Sequence, residues 1–113
     1  MREEVKVFLK HILESISLIE TYTADISRED FLKSQQLQDS IIRRLEIIGE
    51  ATKHLPAKFR EQHPQVAWRE IAGMRDMMIH EYFGIDLELT WKMVKDDLPA
   101  LRKELSQILE SQE

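Results

Sequence analysis

The chain has 113 residues, a formal net charge of −5 and no cysteine. This length suits one domain with a sizeable core, so we expect a single domain over residues 1–113. The lack of cysteine excludes disulfides, thiolate metal sites and thiol nucleophiles. The acidic balance argues against a protein that coats nucleic acid by charge alone, although a local basic cleft would still serve an enzyme. No run approaches the roughly 20 apolar residues that span a bilayer, and no signal core is visible, so we expect a cytoplasmic protein without a membrane partner.

The first half of the chain reads as helices joined by short breaks. Apolar residues at steps of three and four predict a helix from Glu3 to about Thr23 and a long helix from about Gln36 to Leu55. Ser27 and Asp30 resemble a capping pair for a short segment before the long helix. Pro56 ends the long helix, and one further turn is expected before His63.

The second half continues the helical pattern. Residues 68–84 carry an apolar stripe at helical spacing, Asp86 is a suitable cap for a helix over residues 87–95, and Asp97 with Pro99 is expected to open the last helix. Glycine and proline are scarce, and nothing reads as a strand. The sequence therefore predicts an all-α fold, a single-domain antiparallel bundle of about five helices.

Gly49 lies inside the predicted long helix, where glycine costs about 1 kcal/mol relative to alanine. We therefore expect a close helix crossing there, against the similarly small Ala72 and Gly73. Asp96 and Asp97 are better explained by capping than as a metal pair, since no further oxygen ligands are in sight. The histidines outside the central segment match no metal-ligand spacing and are expected to be structural or surface groups: His11, His54 and His63.

The central segment holds the one polar group of residues whose spacing suggests chemistry. Arg75 falls on the apolar stripe, where a guanidinium costs free energy unless it is paired or borders a cleft. His80 lies one turn after Asp76 but about 140° around an ideal helix from Arg75. The arginine and histidine could meet if the helix loosens near residues 83–84, if the arginine reaches round, or if a second copy supplies one of them.

These residue types suit metal-independent cleavage of RNA, with no cofactor. His80 can accept or donate a proton near neutrality, and Arg75 presents a planar fork to phosphate oxygens. Asp76 could orient His80, as the third residue of a catalytic triad does. Neither serine nor cysteine is placed as a nucleophile, so the 2′-hydroxyl of the substrate would attack and leave a 2′,3′-cyclic phosphate.

The motif of Arg75, four residues, His80, one residue and Tyr82 resembles the signature of the HEPN superfamily, specifically the HepT-like toxins encoded beside a minimal nucleotidyltransferase. The flanking strings RRLEIIGEA (43–51) and HEYFGID (80–86) extend the resemblance over most of the chain. It implies a HEPN-like fold and a metal-independent endoribonuclease that acts as a dimer, with two motifs lining one cleft. It also implies a nucleotidyltransferase antitoxin that modifies Tyr82 with AMP.

Several interpretations stay open at this point. Arg43, Arg44 and Arg69 are candidate phosphate contacts, although each also suits a solvated helix face. The methionines at positions 74, 77 and 78 fill either a monomer core or an interface between copies. Two other classes of function compete with the nuclease: a non-catalytic helical module that presents a nucleotide or substrate to a nucleotidyltransferase, and a purely structural oligomerisation bundle.

Overall fold

A computed structural model describes the backbone of residues 1–80 and 84–111, and the side chains of residues 1–77 and 84–111. Most of these residues are helical and none lies in a strand, which confirms the all-α prediction. The bounds are α1 Glu3–Thr23, α2 Arg28–Lys33, α3 Gln35–His54, α4 Ala57–Gln62, α5 Trp68–His80, α6 Leu87–Lys92 and α7 Leu98–Ser111, with a π-turn at Met93–Asp97. Within this described part, no helix is both long and apolar enough to cross a membrane.

Helix α3 lies at the centre of the molecule and packs against both α1 and α5. The predicted stripes of both long helices face this core, because residues three and four apart share one face of a helix. The fully buried side chains of the core include Leu9, Ile12, Ile16, Ile41, Leu45 and Ile48. Removal of these apolar surfaces from water is the main source of stability for such a bundle.

The short connecting segments are helices as well, so the described residues form seven α-helices where the sequence predicted about five. Ser27 and Asp30 form the predicted capping box of α2, each side chain accepting from the other's backbone N–H at 3.0 and 3.1 Å. The indole N–H of Trp68 donates to the carbonyl oxygen of His63 at 2.9 Å. That bond fixes the start of α5 against the end of α4.

The last two helices are joined differently from the prediction. Asp86 caps α6 as expected, accepting from the N–H of Leu89 at 3.0 Å. Asp97 makes no cap hydrogen bond to any described residue. The chain instead continues through the π-turn, where the N–H of Leu98 donates to the carbonyl oxygen of Met93, five residues back. The chain thus stays helical through Asp97 and Pro99, where the start of a separate helix was predicted.

Gly49 is a close crossing point, as predicted, but its partner is not the small pair on α5. A Cβ at Gly49 would lie 2.5 Å from the backbone nitrogen of Arg75, whereas a Cβ at Gly73 would meet nothing within 4 Å. The expected crossing against Ala72 and Gly73 is therefore wrong in its partner. Helix α5 approaches α3 through the backbone of Arg75, and this contact fixes where that side chain leaves the helix.

The methionines of α5 contribute to the core of one protomer. Met74 is buried in the core, and Met77 is partly buried against it. The side chain of Met78 lies outside the described residues. For Met74 and Met77 the structure favours the core interpretation over the interface interpretation.

Candidate active site

A surface cavity of about 350 Å³ lies between α1, α3 and α5, beside the crossing at Gly49. Arg75 from α5 reaches into it, and α1 and α3 supply the remaining wall. Its lining is Phe8, His11, Arg43, Glu46, Ile47, Glu50, Ala51, His54 and Arg75. The cavity thus combines two guanidiniums, two carboxylates, two imidazoles and an apolar floor.

Arg75 is paired rather than buried alone, which answers the cost expected for a guanidinium on an apolar stripe. Its side chain is 36% exposed, and its Nε lies 2.7 Å from Oε2 of Glu50. This is a contact between charges rather than an aligned hydrogen bond, because the sealed Oε2 receives no hydrogen bond from the described residues. Nη1 of Arg75 donates to Oδ1 of Asp76 at 3.5 Å.

Glu50 also contacts an imidazole with its second carboxylate oxygen. Its Oε1 lies 3.3 Å from Nε2 of His54, one helical turn later on α3. The ring of His54 stacks on Phe8, with centroids 5.4 Å apart and planes at 12°, and His11 meets Phe8 edge-on at 6.5 Å. One carboxylate therefore contacts both the guanidinium and the imidazole that line the cavity.

Asp76 faces the other side of Arg75. Its Oδ1 accepts from Nζ of Lys53 at 2.6 Å, and this hydrogen bond is the main cause that lowers the pKa of the Asp76 carboxyl below its ordinary value, with the nearby charge of Arg75 contributing less. The proposed contact between Asp76 and His80 stays a prediction, since the side chain of His80 lies outside the described residues. The described partners of Asp76 are Lys53 and Arg75.

The three other arginines of the predicted site separate in space. Arg43 lines the cavity of Arg75 and pairs with Glu46 at 3.6 Å. Arg69 instead lines a second cavity, of about 520 Å³, on the Asp76 side of α5. Arg44 is half-buried on α3 and lines neither cavity.

Two predicted site residues remain, His80 and Tyr82. His80 is the last residue of that helix, and the regular α-helical backbone keeps it about 140° around the axis from Arg75. Tyr82 lies outside the described residues. The backbone of α5 by itself therefore does not bring Arg75 and His80 onto one face.

The sequence prediction missed Glu50 and took His54 as a structural or surface group. A signal for both was present, because Arg43, Glu46, Glu50 and His54 follow one another at three- and four-residue steps on α3. That spacing forms one polar stripe, and a polar stripe beside a glycine crossing is a reason to expect a shared cleft. Among the described side chains, no group of three or more His, Asp or Glu is arranged to hold a metal ion.

Known proteins that are similar to this chain are named as ribonucleases. The chain is 56% identical over 110 residues to a Methanocaldococcus jannaschii protein named "gamma-glutamylcyclotransferase and putative RNase", covering 97% of this chain but only half of that relative. It is 49% identical over 102 residues to a "probable ribonuclease HepT" of Thermococcus cleftensis, covering 90% of this chain and 93% of that relative. No solved structure matches the chain significantly. Residues 12–108 match the family described as Ribonuclease HepT-like, and the chain therefore belongs to the HepT-like ribonuclease family of the HEPN superfamily.

Proposed function

We propose that this protein is a metal-independent endoribonuclease toxin that uses Arg75 and His80, and that a nucleotidyltransferase antitoxin restrains it. Membership of the ribonuclease family and the ribonuclease names of its relatives support RNA as the substrate. The observation that carries the proposal is the position of Arg75 itself. Its guanidinium is partly exposed in an open cavity, where a phosphate could compete with Glu50 for it.

The proposed reaction is transesterification within the RNA strand. A base removes the proton of the 2′-hydroxyl, the 2′-oxygen bonds to phosphorus, and the bond from phosphorus to the 5′-oxygen breaks while that oxygen takes up a proton. His80 exchanges these protons, because an imidazole is populated in both forms near neutrality. Arg75 stabilises the additional negative charge at phosphorus. The product is a 2′,3′-cyclic phosphate, and no metal is required.

The offset of Arg75 and His80 around α5 supports a site shared between two copies. In this proposal a homodimer, or a higher homo-oligomer, brings the guanidinium of one protomer to the imidazole of its partner in one groove. The antitoxin would attach AMP to Tyr82 beside that groove. The added bulk and negative charge would exclude an RNA phosphate by size and by repulsion.

Cleavage in the presence of EDTA tests the catalytic part of the proposal. The wild-type protein should cut RNA under these conditions, because no step passes through a metal. Arg75→Ala and His80→Ala should each lower the rate by at least about 100-fold, since each removes a transition-state interaction. The measurement is product formation on a gel, with the terminal cyclic phosphate identified by mass spectrometry.

Arg102→Ala is the matched control for this experiment. Arg102 pairs with Glu20 on the surface and is 48% exposed, so its removal breaks a similar ion pair that lines neither the cavity of Arg75 nor that of Arg69. Its rate should stay within about twofold of the wild type, because exposed pairs contribute little to stability. Equal cleavage by Arg75→Ala, His80→Ala and Arg102→Ala would show that the assigned site is wrong.

A non-catalytic binding module is the second candidate, and one observation favours it. Glu50 already contacts the Nε edge of Arg75, an arrangement that suits a guanidinium held for binding as well as one used in catalysis. Such a module would present a nucleotide or substrate to the nucleotidyltransferase. Tight binding of nucleotide or of the partner, with no cleavage of any RNA, would select this alternative.

A further inference from the structure

We infer that the imidazole of His54 is a stacking platform for one base of the bound RNA, next to the phosphate held by Arg75. This inference rests on the proposed function, since it names how the same cavity would hold its substrate. It gives His54 a binding role that its position at the end of α3 did not suggest.

The ring of His54 is held on one face and along one edge. Phe8 from α1 stacks beneath it at 5.4 Å, and Glu50 lies 3.3 Å from its Nε2. Two contacts from two helices restrict the rotation of the ring, so little side-chain freedom remains to be lost on binding. The side chain is nevertheless 58% exposed, and its two contacts occupy one ring face and the Nε2 edge, so we place the base on the other face.

The surroundings of His54 suit a nucleotide rather than an apolar or a simple anionic ligand. The cavity volume of about 350 Å³ lies at the low end of the roughly 300–1,000 Å³ typical of small-molecule pockets. Ile47 and Ala51 give it an apolar floor, while Arg43 and Arg75, each paired there with a carboxylate, present guanidinium groups to flanking phosphates. Proteins that bind single-stranded RNA combine these two features, stacking rings for the bases and cations for the backbone.

Glu50 connects the two parts of this arrangement. Its two oxygens contact Nε2 of His54 and Nε of Arg75, at 3.3 and 2.7 Å. The platform for the base and the guanidinium for the phosphate are therefore held at a fixed separation by one side chain. A nucleotide seated on His54 would place its own phosphate at Arg75, so that base binding helps to align the scissile bond.

A double-mutant cycle between protein and RNA tests the inference. The probes are short 2′-O-methyl RNA oligonucleotides, which lack the attacking hydroxyl and stay intact, each with one abasic position moved along the strand. For wild-type protein, removal of the base at one position should weaken binding by about 5- to 150-fold, the range that corresponds to 1–3 kcal/mol for stacking one base. For His54→Ala the same abasic change should have no effect.

Two further variants make the result specific to stacking. His54→Phe should restore the dependence on that base, because a phenyl ring stacks but forms no hydrogen bonds. His63→Ala is the matched control: His63 packs on Phe59 at 4.7 Å beside a different cavity, so the base dependence should stay as in the wild type. Dissociation constants measured by fluorescence anisotropy provide the readout.

The outcomes separate this inference from the proposed function. Equal sensitivity to every abasic position in wild type and His54→Ala would overturn the platform, as would failure of His54→Phe to restore the difference. Cleavage of ordinary RNA by the same preparations is measured in parallel. If RNA is cleaved but the base dependence is the same in wild type and His54→Ala, the nuclease proposal stands and the stacking platform is refuted. If the base dependence differs between these proteins but no RNA is cleaved, the platform stands and the nuclease proposal is refuted.

Discussion

Glu50 is the side chain on which the geometry of the cavity depends, and its removal should separate binding from catalysis. Glu50→Gln removes a negative charge near the phosphate, which should tighten RNA binding by about fivefold, as expected for charges about 4 Å apart in water. The same change frees the Nε edge of Arg75, so kcat should fall by about 10- to 100-fold through misplacement of the guanidinium. Steady-state kinetics on one RNA measure both effects.

Glu46→Gln is the matched control, since Glu46 lines the same cavity but pairs with Arg43 instead of Arg75. It removes an equal charge and should tighten binding without lowering kcat. An equal fall in kcat for both variants would mean that charge, and not the positioning of Arg75, explains the effect of Glu50.

The ion pair of Asp76 with Lys53 predicts a pH dependence whose sign follows from the lowered pKa. A carboxyl whose pKa is lower in the folded state than in the unfolded state stabilises the fold at any pH above its unfolded-state pKa. This contribution disappears as the pH falls through the folded-state pKa. Lys53→Met should raise the pKa of Asp76 toward its ordinary value of 3.8 and weaken that dependence. Carboxyl-carbon NMR titration of wild type and variant gives the pKa directly; an unchanged pKa would contradict the assignment to Lys53.

At the scale of elements, the crossing of α3 and α5 is set by Gly49. Gly49→Ala places a methyl group 2.5 Å from the backbone nitrogen of Arg75, so the helices must separate. We expect a loss of about 1–3 kcal/mol in the free energy of unfolding, as for overpacked cores, and a loss of RNA cleavage because Arg75 moves. Urea denaturation followed by circular dichroism measures the first effect.

Gly73→Ala is the matched control for Gly49→Ala. A Cβ at Gly73 meets nothing within 4 Å in one protomer, so the better helix propensity of alanine should raise the free energy of unfolding by up to about 1 kcal/mol. If Gly49→Ala were as stable as Gly73→Ala, the close approach of the two helices would be refuted.

The elements were predictable where a local signal determines them. Ser27 and Asp86 carry caps that act within three residues, and both caps are present. The π-turn before α7 was not predicted, because Pro99 signals a new helix start by itself. Continuation of the helix depends instead on packing: Met93, Val94 and Leu98 are all buried, so the turn keeps its apolar residues in the core.

At the scale of the molecule, the sequence singled out Arg75 but not the side chains that contact it. Arg75 was identified from its spacing to His80, yet its contact with Glu50 joins residues 25 positions apart and follows from the approach of α5 to Gly49. Periodicity assigns residues to faces of a helix and does not say which faces meet. The span of one domain over residues 1–113, the dimer and the roles of Arg75, Asp76, His80 and Tyr82 stay predictions.

The shared groove is the central claim, and mixing two inactive variants tests it most directly. Arg75→Ala and His80→Ala proteins are combined, allowed to exchange subunits, and assayed for RNA cleavage with EDTA present. If the guanidinium of one protomer works with the imidazole of its partner, each mixed dimer regains one complete site, and activity should return to about a quarter of the wild-type rate after random exchange in equal amounts. Activity that stays at the level of the separate variants, although mass spectrometry shows mixed dimers, would contradict the account.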